Sequence, residues 1–225
     1  VFVLGQYSYA FHIAAKFDIS LVMFGENGEA EYAGTPKVVD RPYIPSEEFT
    51  GIYFKGTSLD ELVEYGIKNK EYFNKADINK ADLDFYKPPL STELKNVGIK
   101  GKHFFGYYKK WTPQENFFYA AENTGFQPNP ERTEGTYSKY ASIDDKLDGM
   151  HYYMKYIKFG FARATDDASH EVRDGHISRE EAISLVKRYD GEFPEKYFQD
   201  FLDYLDITSG EFWDIVDTGR RSHLW

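Results

Sequence analysis

The 225-residue chain contains no cysteine. Disulfides, cysteine-ligated zinc, iron–sulfur clusters and thiol catalysis are therefore excluded within it. Long apolar runs are also missing, and no stretch approaches the ~20 residues that a membrane-spanning helix needs. Basic residues are outnumbered, with 27 Lys and Arg against 37 Asp and Glu and a net charge of −10. Nucleic-acid binding rests on clustered Lys and Arg that neutralise phosphates, so no nucleic-acid partner is expected. The expectation is a soluble cytoplasmic protein without membrane contact, long enough for one sizeable core or two smaller ones.

Aromatic residues, in contrast, are abundant: 19 Tyr and 19 Phe contribute to an aromatic share of 18%. Such side chains suit wet pockets and interfaces as well as cores. The opening VFVLGQ has no Met and starts directly on an apolar run, as a piece of a longer chain would.

Helical spacing of Phe11, Ala14 and Ala15 predicts a helix over residues 7–17, and the apolar run ISLVMF after it predicts a short buried strand ending at Gly25. A helix followed by a strand is a unit of an α/β layer. From Thr35 to Phe54 the spacing of Pro36, Pro42, Pro45 and Gly51 reads as an ordered connection. Beyond it, four strings match the capping-box pattern of a hydroxyl followed three residues later by a carboxylate: SLDE from Ser58, TPQE from Thr112, SREE from Ser178 and TSGE from Thr208. Further helices are predicted over 144–158, 165–173 and 194–204, with KHFFGYY at 102–108 as a short strand. Residues 123–142 lack a sustained period and are rich in Gly, Pro, Asn and Thr.

The stretch HEVRDGHISREEA resembles a calcium loop. With Gly175 at the sixth position, Asp174, Ile177 and Glu181 fall where the fifth, eighth and twelfth belong. His170 and Val172 occupy the first and third, however, and neither offers the oxygens that a hard cation requires. The same residues are explained by a joint between helices, with Gly175 ending one and Ser178 capping the next. No calcium is expected.

GENGEAEYAG is the candidate for chemistry. Glu26, Glu29 and Glu31 stand beside glycines directly after the predicted strand, the position where open α/β sheets place ligands. Carboxylates so spaced can hold Mg²⁺ or orient an amine, and they would equally suit the solvated start of a helix. The six histidines show no metal-ligand spacing.

GENGEAEYAG resembles the G-E-x-x-D-E-L-F-G-G motif of asparagine synthetases and, more closely, the GEN-x-x-EYGG motif of N-acetyl sugar amidotransferases, relatives within the PP-loop ATP pyrophosphatase superfamily. The resemblance continues through YKKWTPQENFFYAAENTGFQPNPERTEGTYSKYASIDDKLDG, through KFGFARATDDASHEVRDGHISREEAISLVKRYDGEFP and to the closing RSHLW. It implies the carboxyl-terminal part of a Rossmann-like, PP-loop enzyme that is mainly α with a small α/β remnant. The remnant would cover residues 1–35, and a mainly helical region 36–225.

The implied activity is ATP-dependent conversion of the acetamido group of a nucleotide-linked N-acetyl sugar to an acetamidino group, for O-antigen or flagellar glycans. ATP and Mg²⁺ would be the cofactors, and a separate glutaminase with a cyclase-like subunit would supply ammonia. By resemblance, Glu26 would orient or deprotonate ammonia, Glu29 would serve substrate or Mg²⁺, and Gly25, Asn27 and Glu31 would line the site. Arg132, Lys139 and Arg163 are candidates to offset pyrophosphate charge or else ordinary ion-pair partners. Glu134, Tyr137 and Asp144 are candidates for sugar hydroxyls or metal.

Three features depart from the family pattern. Ala33 and Gly34 stand where two glycines are usual, the amino-terminal cysteines are absent, and no SGGxDS phosphate loop occurs. The alternative is a non-catalytic helical module that docks a glutaminase or another partner. Residues 1–225 alone are expected not to bind ATP tightly, because backbone N–H groups of such a loop would be needed to face the phosphates. Calorimetric titration of the chain with ATP checks this.

Overall fold

The computed structural model describes residues 2–25, 27–28, 36–53, 56–69 and 80–225. The fold is mainly helical with a small three-stranded sheet, as expected from the sequence. It divides into two compact units, Val1–Trp111 and Thr112–Trp225.

In the first unit, helix α1 (Phe2–Lys16) leads into β1 (Val22–Phe24). Then come β2 (Tyr43–Pro45) and helices α2 (Phe49–Tyr53), α3 (Leu59–Asn69) and α4 (Ser91–Asn96), followed by β3 (Gly101–Phe104) and the short α5 (Phe105–Tyr108). Strand β3 lies in the middle, parallel to β1 and antiparallel to β2. KHFFGYY is thus half strand and half helix, and its strand is the centre of the sheet. The α/β layer consequently reaches Phe104, well past residue 35.

Period-two alternation along the strands puts Val22, Ile44 and Phe104 on a buried face, where they meet Phe11 and Ala14 of α1 and Leu94 of α4. A Cβ at Gly101 would lie 2.0 Å from the Ile44 carbonyl oxygen. Only glycine therefore allows β2 and β3 to approach as they do. A second apolar cluster joins Leu4 of α1 to Leu59 and Val63 of α3.

The second unit comprises α6 (Pro113–Asn123), α7 (Asp148–Phe159), α8 (Arg163–Asp174), α9 (Arg179–Tyr189), α10 (Phe198–Leu205) and α11 (Ser209–Gly219). Its core is Met150 and Ile157 of α7 against Leu202, Phe212 and Val216. Phe193 sits at its aromatic centre, with ring centroids 5.0 Å from both Tyr153 and Phe198. Much of the aromatic surplus goes into this packing, at roughly 0.5–1.5 kcal/mol per pair beyond area burial.

The joint at HEVRDGHISREEA is a helix connection. Gly175 has φ +80°, and the amides of Gly175 and His176 donate to the carbonyls of Val172 and Glu171. Ser178 Oγ accepts from the Glu181 amide at 3.2 Å, while Glu181 takes the Ser178 N–H at 2.7 Å. Ser58 and Thr208 make the same box. TPQE corrects the expectation: Pro113 does occupy the first helical position, but the Thr112 side chain makes no cap bond. Thr112 is fully buried with its hydroxyl unpartnered, and Glu115 faces His176 Nε2 at 3.6 Å.

A further cap was not foreseen. Asp190, just past α9, accepts the Ala162 and Thr165 amides at 2.8 and 3.2 Å and so caps α8 from its neighbour.

Ser178→Ala is expected to cost about 1 kcal/mol through loss of the cap. Thr112→Val should cost nothing comparable, because its hydroxyl makes no bond. Urea unfolding followed by far-ultraviolet circular dichroism compares the two.

Candidate functional site

The aperiodic segment before α7 is an ordered loop held by its own backbone. The Asn129 amide donates to Lys139 O and the Thr133 amide to Ser138 O, both at 2.9 Å, while Thr133 Oγ1 donates to Ala141 O. Gly135, with φ +79°, makes the turn at its tip.

Two ionic contacts anchor this loop. Arg132 forks onto Glu192 with bonds of 2.6 and 2.7 Å, stacks over Tyr189 at 4.5 Å and donates to the Thr136 carbonyl. Glu192 also accepts the Gly135 amide at 2.7 Å. The second anchor is Asp167, which accepts the buried Thr136 hydroxyl and the Arg163 guanidinium. Burial raises the Asp167 pKa, a shift that Arg163 opposes. Arg163 also reaches Asp148 at 3.5 Å and lies over Tyr152.

One side of the loop borders a cleft of about 520 Å³. Arg132, Glu134 and Asp144 line it together with Lys146, Lys196 and Tyr197. The ammonium groups of Lys146 and Lys196 lie 5.4 and 5.1 Å from the Tyr197 ring, and Glu134 accepts the Lys196 amide. An aromatic face flanked by cations and carboxylates can hold a sugar and orient its hydroxyls.

A second cleft, of about 340 Å³, takes in Tyr137, Ser138 and Lys139 of the same loop together with Gln114 and Phe117 of α6 and Glu171 of α8. Lys139 Nζ itself donates to the Pro130 carbonyl. Arg163 borders neither cleft. The candidates in the second unit are therefore divided: three border the first cleft, two the second, and Arg163 braces helices.

Of the candidates in the first unit, Glu26, Glu29 and Glu31 lie outside the described residues. Gly25 packs against the Trp111 indole, where a Cβ would come within 2.8 Å of the ring. Asn27 is half-buried.

Lys102 was not singled out by sequence. It is 2% exposed on the central strand, opposite Val22, with its ammonium 3.8 Å from the Tyr7 ring centroid and 4.3 Å from that of Phe24. A desolvated ammonium over aromatic faces gains about 2 kcal/mol or more. The signal available in the sequence was alternation, which places Lys102 on the face of Phe104. The register sets it opposite Val22, the first residue of β1.

Among the described residues no three His, Asp or Glu side chains cluster as a metal site. No helix among them is long and apolar enough to cross a membrane.

The helical second unit is similar to a domain of lipopolysaccharide biosynthesis. Residues 134–225 match the family described as LPS biosynthesis protein WbpG-like, C-terminal domain. No curated protein matches the chain. The match lies within the second unit and covers less than half of the chain.

Arg132 holds Glu192 below the usual 4.5 of a glutamate. A carboxyl with a depressed folded pKa adds stability above its unfolded value and loses it as pH falls through the folded one. Glu192→Gln is therefore expected to destabilise the protein near neutrality and to approach the wild type in acid. Urea unfolding of both proteins across that pH range tests the sign.

Proposed function

We propose that this chain is part of an ATP-dependent amidotransferase that converts the acetamido group of a nucleotide-linked N-acetyl sugar to an acetamidino group. The observation that carries the reading is the match of residues 134–225 to a lipopolysaccharide-biosynthesis domain. GENGEAEYAG, in the same chain, supplies the resemblance to ammonia-using ligases.

The chemistry needs ATP because an amide oxygen is a poor leaving group. The amide oxygen attacks the α-phosphorus of ATP and pyrophosphate leaves, giving an adenylated imidate. Ammonia then adds to the imidate carbon, the C–O bond breaks, and AMP departs with the former amide oxygen. One sugar amide, ATP and ammonia thus give one amidine, AMP and pyrophosphate.

In this reading Glu26 orients or deprotonates ammonia, and Glu29 serves substrate or Mg²⁺. Glu31 and Asn27 complete that loop, with Gly25 at its base. Arg132, Glu134, Asp144 and Tyr197 border the cleft best suited to the sugar hydroxyls. Arg132 and Arg163 already serve carboxylates, which favours structural roles for both and leaves Lys139 as the least committed of the three basic candidates. The described residues offer no cluster for Mg²⁺, so metal and ATP enter as requirements of the reaction. Ammonia would come from a glutaminase with a cyclase-like subunit, in the cytoplasm where nucleotide sugars are made.

The test is isotopic. With the acetamido oxygen labelled by heavy oxygen, the enzyme containing this chain is expected to deliver the label to AMP during ammonia-dependent turnover, read by mass spectrometry. Label in phosphate, or none in AMP, overturns the reading. Glu26→Gln should reduce turnover by about 100-fold or more, the range for a positioned acid or base.

A further inference from the structure

We propose that the second cleft is a pocket for a secondary amide bearing a short acyl group. Its boundary combines three kinds of surface. Ser138 is more than nine-tenths buried, lines the cleft, and has a hydroxyl with no hydrogen-bond partner. The Tyr137 hydroxyl is likewise buried and faces Glu171. Burial raises the pKa of both this phenol and the Glu171 carboxyl, and the interaction between the two side chains lowers that of Glu171. Phe117, Ile177 and Leu185 supply apolar wall.

A buried hydroxyl without a partner costs roughly 1–3 kcal/mol, so Ser138 beside this cavity calls for a ligand or ordered water that satisfies it. An acyl amide meets each demand. Its carbonyl accepts from the Ser138 hydroxyl, its N–H donates to a Glu171 oxygen, and its methyl contacts the apolar wall.

Other ligands fit less well. Phosphate would meet the Glu171 carboxylate, while the one lysine on the cleft directs its ammonium to Pro130 O. A free ammonium gains nothing from three apolar side chains, and a plain hexose leaves them against hydroxyls. At about 340 Å³ the cleft is at the small end of ligand pockets, of a size for one sugar residue or one acylated side chain. Tyr140 donates to Gln114 Oε1 at 3.0 Å and stacks on Phe117 at 4.7 Å, which keeps one wall in place before binding.

The amide could belong to an N-acetyl sugar, in which case the inference rests on the function proposed above, or to an acetylated peptide. Ligand-observed NMR on the 225-residue chain compares free N-acetylglucosamine, N-acetyl-lysine amide, glucosamine and glucose. Binding of either acetylated probe, with glucosamine and glucose at least tenfold weaker, is the expected result, and the preferred probe identifies the source. Ser138→Ala should weaken the acetylated probe about tenfold, equivalent to roughly 1.4 kcal/mol.

The variant deletes an unsatisfied hydroxyl, so its melting temperature should not fall. Equal binding of glucose or glucosamine, or unchanged affinity in Ser138→Ala, overturns the proposal in favour of a water-filled cavity. Selective amide binding without amidine formation would instead leave this pocket standing and remove the proposed reaction.

Discussion

The second unit depends on the carboxylate of Glu192. It lies just past α9, yet it accepts two bonds from Arg132 and one from the Gly135 amide, residues about 60 positions earlier in the chain. Residues 129–141 have no helical or strand period to fold them. The Glu192 contacts, together with the loop's own backbone bonds, close that stretch into a fixed shape. A bidentate Arg–carboxylate pair is suited to this because its planar geometry sets direction as well as distance. The pair is about a third exposed, so its contribution lies more in geometry than in Coulomb energy.

Both clefts follow from that closure. Arg132 and Thr133 turn toward the first, and Tyr137 through Tyr140 toward the second, so one loop forms a wall of each. Asp167 fixes the loop from another direction by taking the Thr136 hydroxyl. Its burial costs are offset by Arg163, which also reaches Asp148, and Asp148 in turn accepts the Ser142 hydroxyl at the loop's end. Arg163 is thus explained as the link between α8, α7 and the loop. That role accounts for a charged residue only 23% exposed without any ligand.

Local rules made the helices legible. Ser58, Ser178 and Thr208 start helices because the hydroxyl and the carboxylate three residues on satisfy each other's neighbouring amides, a relation contained within four residues. Thr112 failed because tertiary burial overrode the same pattern. The joint at Gly175 was likewise readable, since the missing oxygens at His170 and Val172 already spoke against calcium. Contacts such as Arg132 to Glu192, Thr136 to Asp167 and Asp190 to the start of α8 left no local signature. They set which candidates share a cleft, and the sequence could nominate Arg132, Glu134, Tyr137 and Asp144 without showing that Tyr137 faces a different cavity from the other three.

Lys102 illustrates the same limit in the first unit. Its identity argues for a surface position, and alternation argues for burial beside Phe104. Burial wins because Gly101 lets β2 close upon β3 and because Tyr7, Phe24 and Phe104 present ring faces to the ammonium. An apolar side chain of similar volume would fill that space with less desolvation cost. The ring faces of Tyr7, Phe24 and Phe104 replace part of the hydration that burial removes, and so hold the ammonium in place on the central strand.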